Sequence, residues 1–415
     1  MNRCLICRTQ NVEDVLDLGR QPIANRFLPT ADAPEAVFPM VIGQCQACGM
    51  VQSLKPVAVN EVVPRVDWIS YNEPEGHLDA FVEKLCHLPG ITRESVIGGV
   101  TFKDDTTLAR FNKKGFTRTW RVNPREDLDI LDSRCGAEMI QDRLTCDAAE
   151  KIVQKYGAAD LVIVRHVFEH AYDPYLFLQA IKKLIHPDGY IVLEVPDCSR
   201  AFDRHDYTTL WEEHILYFTP VTFQECFARM GFSLCRYERY PYLFEDSLIA
   251  VVQPLERTDA VETSADLQEK ERKRIKIFAD NLSGQSRRLR MYLKEYRRDQ
   301  GKIALFGAGH LACAFVNFLG LKEDIAFFVD DNSNKKGLFM PGSRLPIYGS
   351  HSLLEEHIKL CLLSLNPLSE EKVIANNKNF TDQGGTFKSI FPASKHVLEL
   401  LAVVDEEHKH AHQGL

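Results

Sequence analysis

The residues best suited to defined chemistry near the start of the chain are four cysteines in two C-x2-C pairs, Cys4-Leu5-Ile6-Cys7 and Cys45-Gln46-Ala47-Cys48. Four thiolates on two tight turns suit a tetrahedral divalent ion, so Cys4, Cys7, Cys45 and Cys48 read as the ligands of a structural zinc. A segment this short buries too little apolar surface to fold alone, and the metal would supply the missing free energy. A second stretch runs Thr209-Leu210-Trp211-Glu212-Glu213-His214-Ile215-Leu216-Tyr217-Phe218-Thr219. A Glu-His pair among aromatics offers a proton acceptor that works near neutral pH, beside a carboxylate that can raise its basicity. The bland alternative is an imidazole satisfied by a hydrogen bond in the core. A third is Gly307-Ala308-Gly309-His310-Leu311-Ala312, a turn that could cradle a pyrophosphate on a helix N-terminus. Its alternative is a strand-to-helix turn with no ligand.

These groups need elements to position them. Residues 1–60 have the Gly and Pro punctuation of short strands and turns around the knuckles. Residues 61–90 read as a helical connector, with Leu78, Phe81, Val82 and Leu85 at helical spacing. From residue 91 to 255 strands and helices alternate. Val96–Val100, Thr119–Pro124, Asp160–Val164 and Tyr190–Val195 are strands, and Thr107–Lys114, Ala148–Tyr156 and Tyr175–Ile185 are helices. The turn His186-Pro187-Asp188-Gly189 should separate the last helix from the last strand. Continuous apolar strands of this kind belong to parallel sheets covered on both faces, so the fold class is α/β, doubly wound. Residues 256–300 form a charged helical linker, interrupted only at Ser283-Gly284. Residues 301–400 begin a second α/β unit. In it the glycine turn is followed, about 20 residues on, by a strand ending in Asp330, which is a dinucleotide-type layout. Residues 401–415 are expected to form a flexible tail.

The 415 residues carry a net charge of −8, with 45% hydrophobic and 26% charged residues. That balance fits a globular protein and argues against nucleic acid or an anionic membrane as partner. No apolar run approaches the ~20 residues needed to span a bilayer. Met1-Asn2-Arg3 leads straight into the first knuckle, leaving no room for a signal peptide, so a cytoplasmic location is expected. The other eight cysteines are scattered among apolar residues, as a reducing compartment permits.

Two further segments carry a resemblance. Arg165-His166-Val167-Phe168-Glu169-His170-Ala171-Tyr172-Asp173-Pro174, followed by Leu184-Ile185-His186-Pro187-Asp188-Gly189, resembles the fourth-strand region of class I S-adenosyl-L-methionine methyltransferases. Nearly the whole chain resembles the three-domain, zinc-containing sugar C-methyltransferases that act on nucleotide-linked keto-deoxysugars. Beyond the cysteine pairs, the shared pieces are Pro22-Ile23-Ala24-Asn25, Phe38-Pro39 and the Glu213-His214 loop. In the C-terminal part they are Gly307-Ala308-Gly309, Val329-Asp330-Asp331-Asn332-Ser333-Asn334-Lys335-Lys336-Gly337, Pro341-Gly342 with Pro346, and Gly384-Gly385 with Phe391-Pro392.

The resemblance implies a zinc module, a class I methyltransferase core and a C-terminal Rossmann-like domain. It implies His214 as general base with Glu213 beside it, His170 holding substrate or enolate oxygen, and Tyr71 pointing into the site. It places the sulfonium cofactor against Gly98, Gly99, Asp104, Asn123 and His166. The nucleotide-sugar would lie against Gly307, Gly309, Asn332 and Lys336.

The chain departs from the family at three places. Trp211-Glu212 replaces a Tyr-His pair. The cofactor loop is Gly98-Gly99-Val100-Thr101-Phe102-Lys103-Asp104-Asp105, with only two early glycines. Asn123 stands where an acid should hold the ribose. Three functions follow as alternatives. One is C-methyl transfer to an activated carbonyl compound. Another is a methyltransferase-like protein that binds an activated sugar without methyl transfer. The third is a nucleotide-dependent oxidoreductase or epimerase.

Overall fold

The metal knuckles are brought together by strand register. A computed structural model describes residues 2–66, 68–69, 73–255 and 265–402. In it β1 (Val12–Pro22) pairs antiparallel with β2 (Val37–Cys45), and the pair Val12↔Cys45 sets the two cysteine turns side by side. β3 (Val51–Ser53) returns along β2 directly after the second knuckle. The expectation of only short strands in this region is corrected, because β1 and β2 have 11 and 9 residues.

The core is built on β4 (Ile97–Gly99), β5 (Thr119–Arg121), β6 (Ala159–Arg165) and β7 (Ile185–Pro196), which run parallel. Successive side chains of a strand face opposite sides of a sheet, and β6 shows the consequence. Val162 and Val164 enter one hydrophobic cluster with Ile152, Phe177, Leu178 and Ile181 of the helices Cys146–Tyr156 and Pro174–Lys183. Leu161 and Ile163 enter another, with Phe81, Val82, Leu108 and Phe111 of the helices Leu78–Leu85 and Asp105–Lys113. Each such buried side chain contributes roughly 1.5–3 kcal/mol. The same period explains why β6 reads as an unbroken apolar run.

The short strand β8 (Leu216–Tyr217) does not join this sheet. It pairs with β3, so the first sheet runs β1-β2-β3-β8. β9 (Phe232–Tyr240) and β10 (Ser247–Pro254) complete the core sheet in the order β5-β4-β6-β7-β10-β9, with β10 antiparallel to β7. The turn expected at His186–Gly189 lies inside β7. Ala159 pairs with Ile185 and Leu161 with Tyr190, and the register shift between them takes up the extra residues.

The helix Ala265–Asp299 runs 35 residues without a break at Ser283-Gly284. One glycine costs a helix only about 1 kcal/mol, and Ile275, Phe278, Leu289 and Leu293 bury themselves along it. The chain divides into two compact units within this helix. The first holds residues 1–23, 37–200 and 210–279, and the second holds 24–36, 201–209 and 280–415. The second unit is a parallel sheet of β11 (Ile303–Phe306), β12 (Phe327–Val329), β13 (Ile347–Tyr348), β14 (Leu360–Leu363) and β15 (Thr386–Ser389), ordered β13-β12-β11-β14-β15. Among the described residues no helix is long and apolar enough to cross a membrane.

Candidate metal centre and active site

The four knuckle sulfurs converge. Cys4 Sγ lies 3.6 Å from Cys48 Sγ, Cys7 Sγ lies 3.5 Å from Cys45 Sγ, and all four lie within 4.8 Å of one another. Zinc bonded to four sulfurs at about 2.3 Å requires S···S separations near ~3.8 Å, so the cage fits zinc. The cage belongs to the same hydrophobic cluster as the core, which contains Cys4, Cys45, Cys48, Phe168 and Leu216. Arg8 of the first knuckle pairs with Asp173 at 3.0 Å, and Asp173 caps the helix Pro174–Lys183.

Two Glu-His dipeptides meet at the edge of the core. Glu169-His170 follows β6 in a short 3₁₀ turn, and Glu213-His214 precedes β8. A hydrogen bond from the Ile215 amide to the Glu169 carbonyl, at 2.8 Å, clamps the two loops together. The His170 and His214 rings stand edge to face with centroids 4.8 Å apart. A ring nitrogen of each and a carboxylate oxygen of Glu169 lie within 4.8 Å of one another. His170 Nδ1 sits 2.9 Å from Glu138 Oε1 and 3.0 Å from the Glu213 carbonyl. A nitrogen between two acceptors carries a proton, and Nε2, on the other side of the ring, lies 3.9 Å from Glu169 Oε1. Burial pulls the Glu138 carboxyl up, but the charge of His170 beside it prevails and holds it below its usual range. Glu213 reaches His170 through its carbonyl, and a carboxylate oxygen of Glu169 lies within 4.8 Å of a ring nitrogen of His214. Glu138, on the helix Ala137–Arg143, gave no signal in the sequence. Glu169 carried one, the repeat of the Glu-His dipeptide. Trp211 flanks His214 at 5.3 Å, and the Tyr217 hydroxyl closes the loop by donating to the Trp211 carbonyl at 3.0 Å. Tyr71 lies outside the described residues.

Chain order places the core's switch point between β4 and β6, where ligands of doubly wound sheets bind beyond the strand ends. The turn after β4 closes on itself there. Asp104 accepts the Val100 and Thr101 amides at 2.7 and 2.8 Å, and the Arg165 amide at 3.0 Å. Burial pushes its carboxyl up to about 6, against those bonds and the Arg165 charge. The two glycines are required by the chain itself. A Cβ at Gly98 would lie 2.6 Å from the Trp120 ring, and one at Gly99 would lie 3.0 Å from Asp104 Cβ. Asn123 caps the helix Pro124–Leu128, accepting the Arg125 and Glu126 amides at 3.1 and 3.2 Å. Its side-chain oxygen is thus engaged in capping the helix that follows β5.

His166 follows β6 with φ +52°, a conformation costly for a non-glycine residue. It lies 3.3 Å from Glu194, which Arg165 also binds at 2.5 Å, and 3.7 Å from Glu73. Burial lowers its basicity, but Glu73, Glu169 and Glu194 outweigh this and raise the imidazole to about 10. A base whose folded value exceeds its unfolded value of about 6.5 adds stability that is complete below pH 6.5 and lost as pH rises toward 10. Glu245 is pushed up to about 8, chiefly by burial and then by Glu73, and it also favours the more acidic side. The melting temperature is therefore expected to fall from pH 6.5 to 10. A flat or rising profile in calorimetry would contradict this ion cluster.

In the second unit Gly307 has φ +101°, and a Cβ there would meet the Ser364 carbonyl at 2.9 Å. The Ala308 amide donates to Asp330 at 3.0 Å, and Lys335 pairs with the same oxygen at 2.8 Å. Gly309 opens the helix His310–Phe318 with free space around it. Asn332 donates its amide to Asp330 at 2.9 Å, and Lys336 lies 3.8 Å from Asp331. Asp330 thus ties the turn of Gly307 and Gly309 to Asn332 beyond the ends of β11 and β12, while Lys336 lies beside Asp331.

Three family models match the chain in succession. They are a zinc binding domain over residues 4–62, a methyltransferase domain over 98–236 and a C-methyltransferase C-terminal domain over 248–392. The chain is 23% identical to the C-methyltransferase NovU of Streptomyces niveus over 400 residues, covering 93% of this chain and 94% of that protein. Among solved structures it is similar to the 1,6-didemethyltoxoflavin-N1-methyltransferase of Burkholderia thailandensis, with 12% identity, 44% of this chain and 78% of that chain covered, and a TM-score of 0.28. It is also similar to a SAM-dependent methyltransferase from Anabaena variabilis, with 13% identity, 43% and 86% covered, and a TM-score of 0.29. The four-sulfur cage and the ordered matches to a zinc binding domain, a methyltransferase domain and a C-methyltransferase C-terminal domain make this chain a methyltransferase.

Proposed function

We propose that the chain methylates a carbon next to the carbonyl of a nucleotide-linked keto-deoxysugar, with His214 as general base. The observation that carries this reading is the facing pair His170 and His214, with Glu169 within 4.8 Å of both. An α-proton of a ketone is removed by a base near neutral pH only if the developing oxyanion is stabilised as the proton leaves. His214 takes the proton on its ring, and Glu169 opposes the positive charge that results. His170 presents Nε2 to the substrate oxygen, while Glu138 and the Glu213 carbonyl keep the ring from turning. The carbanion equivalent formed in this way is a carbon nucleophile.

S-adenosyl-L-methionine, when bound, supplies an electrophilic methyl group. The switch-point crevice suits such a ligand through side chains rather than backbone. Lys103 offers an ammonium to a carboxylate. In the second unit, Gly309, Asn332 and Lys336 are the residues we assign to a nucleotide, with Gly307 shaping the turn.

The test is incubation of the zinc-loaded protein with S-adenosyl-L-methionine and a nucleotide-linked keto-deoxysugar, followed by mass spectrometry. Gain of one methyl group on carbon is expected. Absence of any methylated product across such sugars would refute the reading.

A further inference from the structure

The turn after β4 is closed on itself. Asp104 holds the amides of Val100 and Thr101, and also the amide of Arg165 on the facing strand end. The ligand-facing chemistry at the switch point therefore rests with side chains, and two of them span it. Lys103 leaves the β4 turn and crosses to the β6 side, its Nζ lying 3.3 Å from the His166 carbonyl and 2.8 Å from Glu73 Oε1. The pair is not sealed off, since the side chains retain 15% and 25% of their exposure.

A largely desolvated ion pair gains little over its separated, hydrated ions unless further partners complete it. A ligand carrying its own carboxylate and ammonium on one carbon can complete it, because each charge of the protein then meets an opposite charge of the ligand. Burial pulls the Glu73 carboxyl up, but His166 and Lys103 hold it at about 2, so it stays an anion ready for an ammonium. Glu169 and Glu138 also face Lys103 and keep it charged.

We propose that Lys103 and Glu73 grip the amino-acid end of S-adenosyl-L-methionine, Lys103 taking its α-carboxylate and Glu73 its α-ammonium. The proposal rests on the methyl-transfer reading above and adds the residues that select the cofactor.

Isothermal titration of the zinc-loaded full chain tests it with four ligands. S-adenosylmethionine and S-adenosylhomocysteine carry both charges, decarboxylated S-adenosylmethionine lacks the carboxylate, and 5′-methylthioadenosine lacks the whole amino-acid end. Lys103→Met and Glu73→Gln are expected to weaken both full ligands by at least about tenfold, with 5′-methylthioadenosine unaffected and Lys103→Arg keeping most of the affinity. Should Lys103→Met unfold, the wild-type chain still decides, because decarboxylated S-adenosylmethionine should then bind at least about tenfold more weakly than S-adenosylmethionine.

Unchanged affinity in the variants, or equal affinity for the decarboxylated ligand, overturns the proposal and leaves methyl transfer standing. Binding of 5′-methylthioadenosine without S-adenosylmethionine overturns it by showing that the Lys103–Glu73 pair plugs the crevice. A wild-type chain that binds none of the four at millimolar concentration removes the methyl-transfer reading together with this one.

Discussion

His214→Ala is expected to lower turnover by about 10²–10⁴-fold, the range by which a positioned general base accelerates proton transfer, while S-adenosyl-L-methionine affinity stays as in the wild type. The split follows from geometry. His214 stands with Glu169 and His170 at the loop clamped by the Ile215–Glu169 hydrogen bond, whereas the cofactor residues inferred above are Lys103 and Glu73. Exchange of the sugar's α-proton with deuterated solvent, followed by NMR, reads the same step without methyl transfer. It should stop in His214→Ala and slow in Glu169→Gln, which keeps shape but cannot offset an imidazolium charge. Retention of full exchange in the alanine variant would remove His214 as the base. His170→Asn offers a finer reading. Its amide still fills the space between Glu138 and the Glu213 carbonyl, so a loss of rate with unchanged melting would point to oxyanion stabilisation rather than packing.

Cys45→Ser should take zinc content from one ion per chain to nearly none and cost both stability and turnover. Structural zinc sites of this kind bind with about 10–16 kcal/mol at neutral pH. Even partial loss of that coupling lowers the melting temperature by roughly 10 °C or more, since each 1 kcal/mol moves a unit of this size by about 2–4 °C. The loss should also reach the base. The Gln52 side chain bonds the first knuckle twice, accepting the Leu5 amide at 2.9 Å and donating to the Arg3 carbonyl at 3.1 Å. Gln52 is also the residue of β3 that pairs with Leu216 of β8, two positions after His214. Elemental analysis, calorimetry and the α-proton exchange assay, run before and after chelation, check the three effects together. Chelated protein that melts and exchanges like the zinc-loaded form would show that the cage carries neither stability nor loop position.

How much of this could be read from residues alone depended on how local the determinant was. The cysteine knuckles are local, because spacing within each turn sets the ligand geometry. The parallel strands were readable because burial on both faces makes β6 apolar without interruption. His170 and His214 were readable through their Glu-His context.

The contacts of Glu138 with His170 and of Glu169 with His214 were not readable, since they join segments distant in sequence or in separate loops. Nor was the closing of the cofactor turn, which depends on the Asp104 side chain folding back on its own amides. β9 carries Arg236, Glu238 and Arg239 on an edge strand and lacks a clean alternation, so the antiparallel pair β9–β10 left no pattern. Asn123 did leave one. Asparagine directly before proline is a helix-start signal, with the proline at the first helical position, and Asn123 caps the helix that follows it.

The pairing of β3 with β8 also bears on how such a protein can be recombined. The residue drawn as the base sits on a strip of chain that hydrogen-bonds outside the methyltransferase sheet, to Val51 and Gln52 of the metal module. A core grafted onto a foreign scaffold without that module would keep every strand of its own sheet and still lose the edge that registers its proton acceptor. The heritable unit for this chemistry is therefore discontinuous in sequence, and exchange of domains at the linear boundary near residue 60 should give folded but catalytically idle chimeras.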